Sequence, residues 1–208
     1  SAMPNGTNVG EMMFWDGTDW VVINTPNVIT NTDPVLTFCN GAPQWGECYE
    51  LGGPGPSGGY VFYIDGNGGG LEVKPSNQWG SWGCMNTFIN NTGTNIGDGM
   101  SNSINIAATC AAGCAADECL NFYSNNLGGF YMPSKDELNL LYNNLYSLVP
   151  AGPGGSNWPI AFVSSSEIDA NQVWGQWFDS NSPAIPDGSQ LPVSKTGTGF
   201  EVWPIRAF

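Results

Sequence analysis

The chain reads Ser164-Ser-Ser-Glu167, then Val173-Trp-Gly-Gln-Trp-Phe178 and later Val202-Trp-Pro-Ile-Arg-Ala-Phe208, and these three stretches decide the fold. The second and third are short apolar segments between polar loops, a pattern typical of β-strands. This part of the chain holds no histidine and no cysteine, the residues most often used for nucleophilic or redox catalysis. It therefore indicates binding rather than catalysis, and we expect the protein not to be an enzyme.

Signals earlier in the chain add helices to these strands. Ser134 at the N-cap and Glu137 three residues later match a capping box, which predicts a helix over 134–145. Its expected apolar face consists of Leu138, Leu141, Tyr142 and Leu145. A second helix is expected over 107–122, where small apolar residues and cysteines are concentrated. Short strands are expected at 60–64, 71–74, 160–165, 173–178 and 200–206. Two helices, short antiparallel strands and long loops make the expected fold class α+β.

The first 53 residues are expected to form a separate part. Apolar runs flank Asp16-Gly17, which predicts a β-hairpin with a type I′ turn because that turn needs positive φ at both central positions. Residues 24–59 are rich in Asn, Thr, Pro and Gly and indicate a linker or long loop. We therefore expect a hairpin and a disulfide-pinned linker in 1–53, followed by one domain in 54–208.

The charge of the chain excludes two kinds of partner. Four basic residues oppose eighteen acidic ones, for a formal net charge of -14. Such a chain repels a nucleic-acid backbone or an anionic membrane. No run approaches the roughly 20 apolar residues that span a bilayer, so membrane insertion is not expected.

Six cysteines make disulfides the expected covalent links, since an even count in an acidic, glycine-rich chain favours an oxidising compartment. Zinc is the alternative, but the chain has no histidine and no Cys-x2-Cys pair. Cys39 and Cys48 form the obvious local pair. The pairing of Cys84, Cys110, Cys114 and Cys119 stays open, although Cys110 and Cys114 on one helical face would be awkward to join. The predicted location is extracellular.

Several motifs, taken in order, resemble one known family. They are Gly58-Gly-Tyr-Val-Phe-Tyr63, Gly129-Phe-Tyr-Met-Pro-Ser-Lys-Asp-Glu-Leu-Asn-Leu-Leu-Tyr142, Ser164–Glu167, Trp174 with Trp177-Phe178, and Pro204-Ile-Arg-Ala-Phe208. Over residues 54–208 the chain is similar to the C-terminal domain of collagen-like bacterial adhesins. That family resembles the C-type-lectin-like relatives of formylglycine-generating and sulfatase-modifying enzymes.

The resemblance implies a C-type-lectin-like fold and a binding function. We expect an extracellular module that recognises carbohydrate on a cell surface, with or without calcium. The alternative is a protein-binding module, such as the host-recognition tip of a phage fibre, and the parent fibre could make the chain an oligomer. The catalytic cysteine pair of formylglycine-generating enzymes has no counterpart after Cys119. Arg206 resembles the family's near-terminal arginine and is expected to pair with a carboxylate such as Glu137.

Loop residues of the last third supply the candidate metal ligands. Calcium takes six to eight oxygen ligands from carboxylates, amides and carbonyls. The candidate ligands for calcium are Glu167, Asp169, Asn171 and Asp179. The calcium-binding triplets of classical C-type lectins are absent, and loop carboxylates in so acidic a chain could equally be solvated.

Tryptophans on predicted loops supply the candidate sugar contacts, because aromatic rings stack on the C–H faces of sugars. A loop tryptophan can equally fold back and cover the core. The candidate ligand-binding residues are Trp79, Trp82, Trp158, Asn181 and Asp187.

Overall fold

The computed structural model describes residues 11–23, 36–39, 42–66, 68–75, 81–149, 161–179, 183–197 and 200–208, together with Met3 and Asn5. The chain divides into two compact units. The first unit comprises Ser1–Glu50 and Ile64–Gly69, and the second comprises Leu51–Tyr63 and Gly70–Phe208. The α+β prediction is confirmed.

In the part of the first unit that the structure describes, four strands form two small hairpins. Strand β1 (Met12–Trp15) pairs with β2 (Trp20–Ile23), and β3 (Leu36–Cys39) pairs with β4 (Ala42–Trp45), both antiparallel. The hairpin prediction at residues 12–23 is confirmed. The Cys39–Cys48 disulfide is also confirmed.

The turn between β1 and β2 differs from the expected type I′ turn. Trp15 pairs directly with Trp20, so four residues form the loop instead of two. The Asp16 carboxylate accepts the backbone N–H groups of Thr18 and Asp19 at 2.7 and 2.8 Å, and these bonds lower the Asp16 pKa. An aspartate side chain that satisfies two turn amides favours this longer loop.

The second unit is built on two antiparallel sheets. The four-stranded sheet has the order β5-β6-β11-β7, and the three-stranded sheet has the order β10-β9-β8. Strand β11 therefore lies between β6 and β7. The strands are β5 (Tyr60–Ile64), β6 (Gly70–Val73), β7 (Phe130–Tyr131), β8 (Ala161–Glu167), β9 (Gln172–Trp177), β10 (Gln190–Ser194) and β11 (Ile205–Ala207).

Along the chain, the described helices come between β6 and β8, and they differ in part from the prediction. They are α1 (Asp98–Thr109), α2 (Ala115–Leu120), α3 (Lys135–Leu141) and a π-helical turn (Tyr142–Tyr146) that continues α3. The predicted helix over 107–122 is wrong: Cys110 has extended backbone and Gly113 has φ 81°, which ends α1 and separates it from α2. The capping box of Ser134 and Glu137 is confirmed at the start of α3.

The core of the second unit consists of two clusters of buried side chains. One joins the four-stranded sheet to α3 and includes Phe62, Leu138, Phe162 and Ile205. The other joins α1 and α2 to the three-stranded sheet. The leucines at 138, 141 and 145 are all buried, as the predicted apolar helix face requires.

Arg206 pairs with a different carboxylate from the one expected. Its Nη1 lies 3.1 Å from Oε1 of Glu72 on the neighbouring strand, and its Nε donates to the Gly128 carbonyl at 2.9 Å. Glu72 is fully buried and also accepts the backbone N–H of Ser57. The expected partner, Glu137, lies in the α3 capping box instead.

A second disulfide joins Cys84 to Cys110, and Cys114 and Cys119 are buried thiols. The two disulfides indicate an oxidising environment. Among the residues that the structure describes, no helix is long and apolar enough to cross a membrane.

We predict that Cys114 and Cys119 resist alkylation until the protein unfolds. Their exposed fractions are 4% and 0%, and burial raises the pKa of the Cys119 thiol, so little reactive thiolate is available. Mass spectrometry after iodoacetamide treatment should detect no label on the native protein and two labels after unfolding without reductant. Labelling of the native protein, or of Cys84 or Cys110 in the unfolded protein, would contradict the assignment.

Candidate functional site

The Ser164–Glu167 motif lies in the interior of the protein. All seven residues of β8 are buried. The Ser165 hydroxyl donates to the Pro133 carbonyl at 3.1 Å, and the Ser166 hydroxyl donates to the Gly93 carbonyl at 2.7 Å. The motif therefore ties β8 to the segment before α3 and to the loop before α1, and its role is structural.

Glu167 belongs to a buried ion pair. Its Oε1 contacts the Lys195 ammonium, and neither side chain is exposed. Its Oε2 accepts the backbone N–H groups of Ile89 and Asn90 at 2.9 and 3.1 Å. Lys195 also donates to the Thr87 carbonyl at 2.8 Å. The lysine supplies the positive charge that a calcium ion would supply at this carboxylate, so this arrangement does not fit a calcium site at Glu167.

The next two calcium candidates also have structural contacts. Asp169 Oδ1 accepts the N–H groups of Asn171 and Gln172 at 2.7 and 2.8 Å, which closes the turn between β8 and β9. The Asn171 side-chain oxygen accepts the Asn86 N–H at 3.1 Å. Among the described residues, no group of three or more His, Cys, Asp and Glu side chains is placed to hold a metal ion. Calcium binding stays a prediction.

The predicted tryptophan contacts fall partly outside the described residues. Trp82 is only 3% exposed, its ring nitrogen donates to the Ser164 carbonyl at 2.9 Å, and the Lys195 ammonium lies 4.6 Å from its ring centre. Trp82 thus covers the core and is not open to a ligand. Trp79, Trp158 and Asn181 lie outside the residues that the structure describes.

Two other candidates, Asp179 and Asp187, lie beside a group of aromatic rings. We call Tyr142, Tyr146, Phe178, Asp179 and Asp187 the aromatic–acidic patch. The two tyrosine rings stack with centroids 5.1 Å apart and planes 20° apart. The buried Phe178 ring meets them edge-on, with centroids 5.2 Å from Tyr142 and 6.0 Å from Tyr146. Both aspartates are exposed.

The π-helical turn positions the stacked tyrosines. The two residues are four apart, so a helical backbone places them on one face. Leu145 within the turn is fully buried, and the Asn144 side chain donates to the Phe62 carbonyl at 3.0 Å. These two contacts hold the turn against the core and leave the tyrosines half-buried. Single π-helical turns occur frequently at functional sites.

The patch carries negative charge on its two aspartates. Burial raises the pKa of Tyr142 and Tyr146 above the usual 10.0, and the nearby Asp187 carboxylate raises both further. Asp179 adds to the effect on Tyr146, which also hydrogen-bonds Asp187. Both tyrosines therefore stay protonated at neutral pH and can donate or accept hydrogen bonds.

An amide network borders the patch. Gln176 Nε2 donates to the Asn139 side chain at 3.2 Å and to the Gly188 carbonyl at 3.1 Å. Gln190 Nε2 donates to Gln176 Oε1 at 2.8 Å. The network fixes the end of β9 and the start of β10 relative to α3, and so fixes the loop that carries Asp187.

The tyrosines of the patch were not among the residues singled out from the sequence as ligand contacts. The sequence places Tyr142 on the apolar face of the predicted helix, and Tyr146 lies one residue beyond the end of that helix. The available signal was the Tyr-x3-Tyr spacing at the end of the helix, because residues four apart share a face. Asp179 and Asp187 are candidates from the sequence, and their neighbours in the chain, Phe178 and Gly188, contact the tyrosine rings.

Comparison with known proteins gives no assignment: no family model matches the chain, and no curated protein matches it. The fold and the site define an α+β protein in which half-buried tyrosines lie beside two exposed carboxylates. The functional argument therefore depends on this surface.

Proposed function

We propose that the second unit is a C-type-lectin-like module that binds carbohydrate outside the cell through the aromatic–acidic patch. The observation that carries the proposal is the stacked tyrosine pair beside two exposed carboxylates. Apolar sugar faces pack on aromatic rings, and a few polar groups orient the ligand. Carboxylates accept hydrogen bonds from sugar hydroxyls. The patch offers both kinds of contact, and we propose that it binds without catalysing a reaction.

The experiment is a glycan-array measurement on the full chain, run once with calcium and once with EDTA. We expect binding that becomes about tenfold weaker in Tyr146→Ala, because one stacking contact is lost. Tyr123→Ala is the matched control, since Tyr123 is 70% exposed and its ring packs on Gly128 outside the patch. Circular dichroism should show that both variants are folded. Loss of binding in EDTA would establish that calcium assists.

If no glycan on the array is bound with calcium or with EDTA, the carbohydrate proposal is overturned. Binding that Tyr146→Ala and Tyr123→Ala weaken equally would place the sugar elsewhere. Chromogenic glycosides should stay uncleaved by the same preparation, and their cleavage would contradict the proposal that the module only binds.

The second candidate is protein recognition by a fibre tip, and the first unit provides the observation that favours it. Its two hairpins expose large apolar side chains, among them Phe38 at 67% and Trp15 at 42%. Exposed apolar groups of this kind mark surfaces that contact other proteins. If this second function is correct, the ligand is a host protein. The chain then binds a host surface protein and no glycan on the array.

A further inference from the structure

The aromatic–acidic patch combines two features that attract positive charge. The face of a tyrosine ring is electron-rich and attracts an ammonium group within about 6 Å. Gly188, the neighbour of Asp187, packs against the Tyr142 ring, and Asp179 directly follows Phe178, whose ring contacts both tyrosines. The stacked rings and the carboxylates therefore both attract a positively charged ligand.

The four basic side chains of the protein contact groups outside the patch. The chain has four of them against eighteen acidic residues. Each has a partner outside the patch: Lys74 donates to the Gly58 carbonyl, Lys135 lies over the Trp174 ring, Lys195 pairs with Glu167 and Arg206 pairs with Glu72. The net charge of -14 adds a long-range attraction for cations.

The chain itself shows the contact that such a ligand would make. The Lys135 ammonium lies 4.6 Å from the centre of the half-buried Trp174 ring. An amine on a ligand can lie over Tyr142 or Tyr146 in the same way, and the patch adds carboxylates that can accept its N–H groups. A sulfated or carboxylated glycan would instead meet like charge, which is unfavourable.

We propose that the aromatic–acidic patch selects glycans that carry protonated amines, such as chains of glucosamine with free amino groups. The inference rests on the proposed carbohydrate-binding function and narrows its ligand to one charge class. The sugar ring stacks on the tyrosine pair, and the ammonium group pairs with Asp187 or Asp179.

The test compares two oligosaccharides that differ only in charge. Glucosamine oligomers carry free amines, and N-acetylglucosamine oligomers of equal length carry neutral amides. Calorimetry with the full chain, at a pH at which the amines are protonated, should give about tenfold tighter binding of the amine form. The preference should shrink in high salt, because screening weakens exposed charge pairs.

Variants then test whether the carboxylates of the patch cause the preference for the amine form. The double variant Asp179→Asn/Asp187→Asn should bind the two oligomers within about twofold of each other, since the rings remain and the carboxylates are gone. Asp19→Asn/Glu50→Gln is the matched control: it removes two charges from exposed positions in the first unit and should keep the preference. Tyr146→Ala should weaken the binding of both oligomers.

The outcomes separate this inference from the function on which it rests. The wild-type protein could bind the two oligomers with equal affinity while Tyr146→Ala binds both more weakly. That result would overturn charge selection and leave carbohydrate binding in place. An amine preference that survives the double Asp179 and Asp187 variant, or that the control abolishes, would show attraction to the whole acidic surface and overturn the site. Binding to neither oligomer overturns the inference, and the array with neutral glycans then decides the function.

Discussion

Replacing Lys195 by Met should lower the free energy of unfolding by about 3–5 kcal/mol, because it leaves the Glu167 carboxylate buried without its counter-charge. Both side chains of the pair have an exposed fraction of 0%. The replacement also removes the donor to Thr87 and the ammonium group over Trp82. Chemical denaturation followed by tryptophan fluorescence measures the change.

A second substitution distinguishes an ion pair from a general packing defect. In Glu167→Gln/Lys195→Met no charge remains buried, and the glutamine oxygen can still accept the N–H groups of Ile89 and Asn90. The double variant should therefore recover much of the loss. Lys135→Met removes a half-exposed lysine that also lies over a tryptophan and should cost about 1 kcal/mol or less. Equal losses in Lys195→Met and Lys135→Met would refute the buried pair.

Replacing Glu137 by Ala should cost about 3 kcal/mol, because it leaves buried backbone donors without an acceptor. The Glu137 carboxylate accepts the Ser134 N–H at 2.7 Å and the Gly97 N–H at 3.0 Å. The same group packs so closely against Gly99 that an added Cβ there would clash with Oε2. Thermal and denaturant unfolding of the variant measure the loss.

The cost of Glu137→Ala should depend on pH. Burial raises the Glu137 pKa above 4.5, although its hydrogen bonds oppose the shift. A raised pKa means that the folded protein binds the proton more tightly than the unfolded chain. The extra stability is fully present below pH 4.5 and is lost as the pH rises through the folded pKa. The difference between wild type and variant should therefore be larger near pH 4 than at pH 7.

Asp136→Ala provides the matched control in the same helical turn. Its side chain is half-exposed, so its removal should cost about 1 kcal/mol or less through the helix dipole. A loss from Glu137→Ala no larger than that from Asp136→Ala would show that the buried amides find other acceptors.

Local signals in the sequence predicted the parts of the fold that depend on neighbouring residues. The capping box of α3, strand β5, the hairpin at residues 12–23 and the Cys39–Cys48 disulfide all join residues close together in the chain. The α1–α2 break, which was missed from the sequence, coincides with Gly113 at positive φ and with Cys110, which is bonded to a residue 26 positions away. A helical pattern cannot report a restraint that comes from so far along the chain.

The same distinction applies to the candidate site. Asp179 and Asp187 could be proposed from the sequence because they are acidic residues on loops. The stacked tyrosines depend on the π-helical continuation of α3, which tertiary contacts such as Asn144 to Phe62 help to position. Glu167 and Trp82 carry the residue types of a ligand site, but packing against residues more than 75 positions away places both in the interior. Burial of this kind has no local signature.

The position of β11 between β6 and β7 has a consequence for how the protein folds. The Arg206–Glu72 pair, which accompanies this strand, joins residues 134 apart in the chain. Closing so long a loop costs chain entropy before any contact compensates, and such pairings slow folding. Until β11 is in place, β6 and β7 each present an unpaired edge to which another copy could add. The risk of self-association is therefore concentrated in the interval before this strand docks, when repulsion between chains of net charge -14 acts against it.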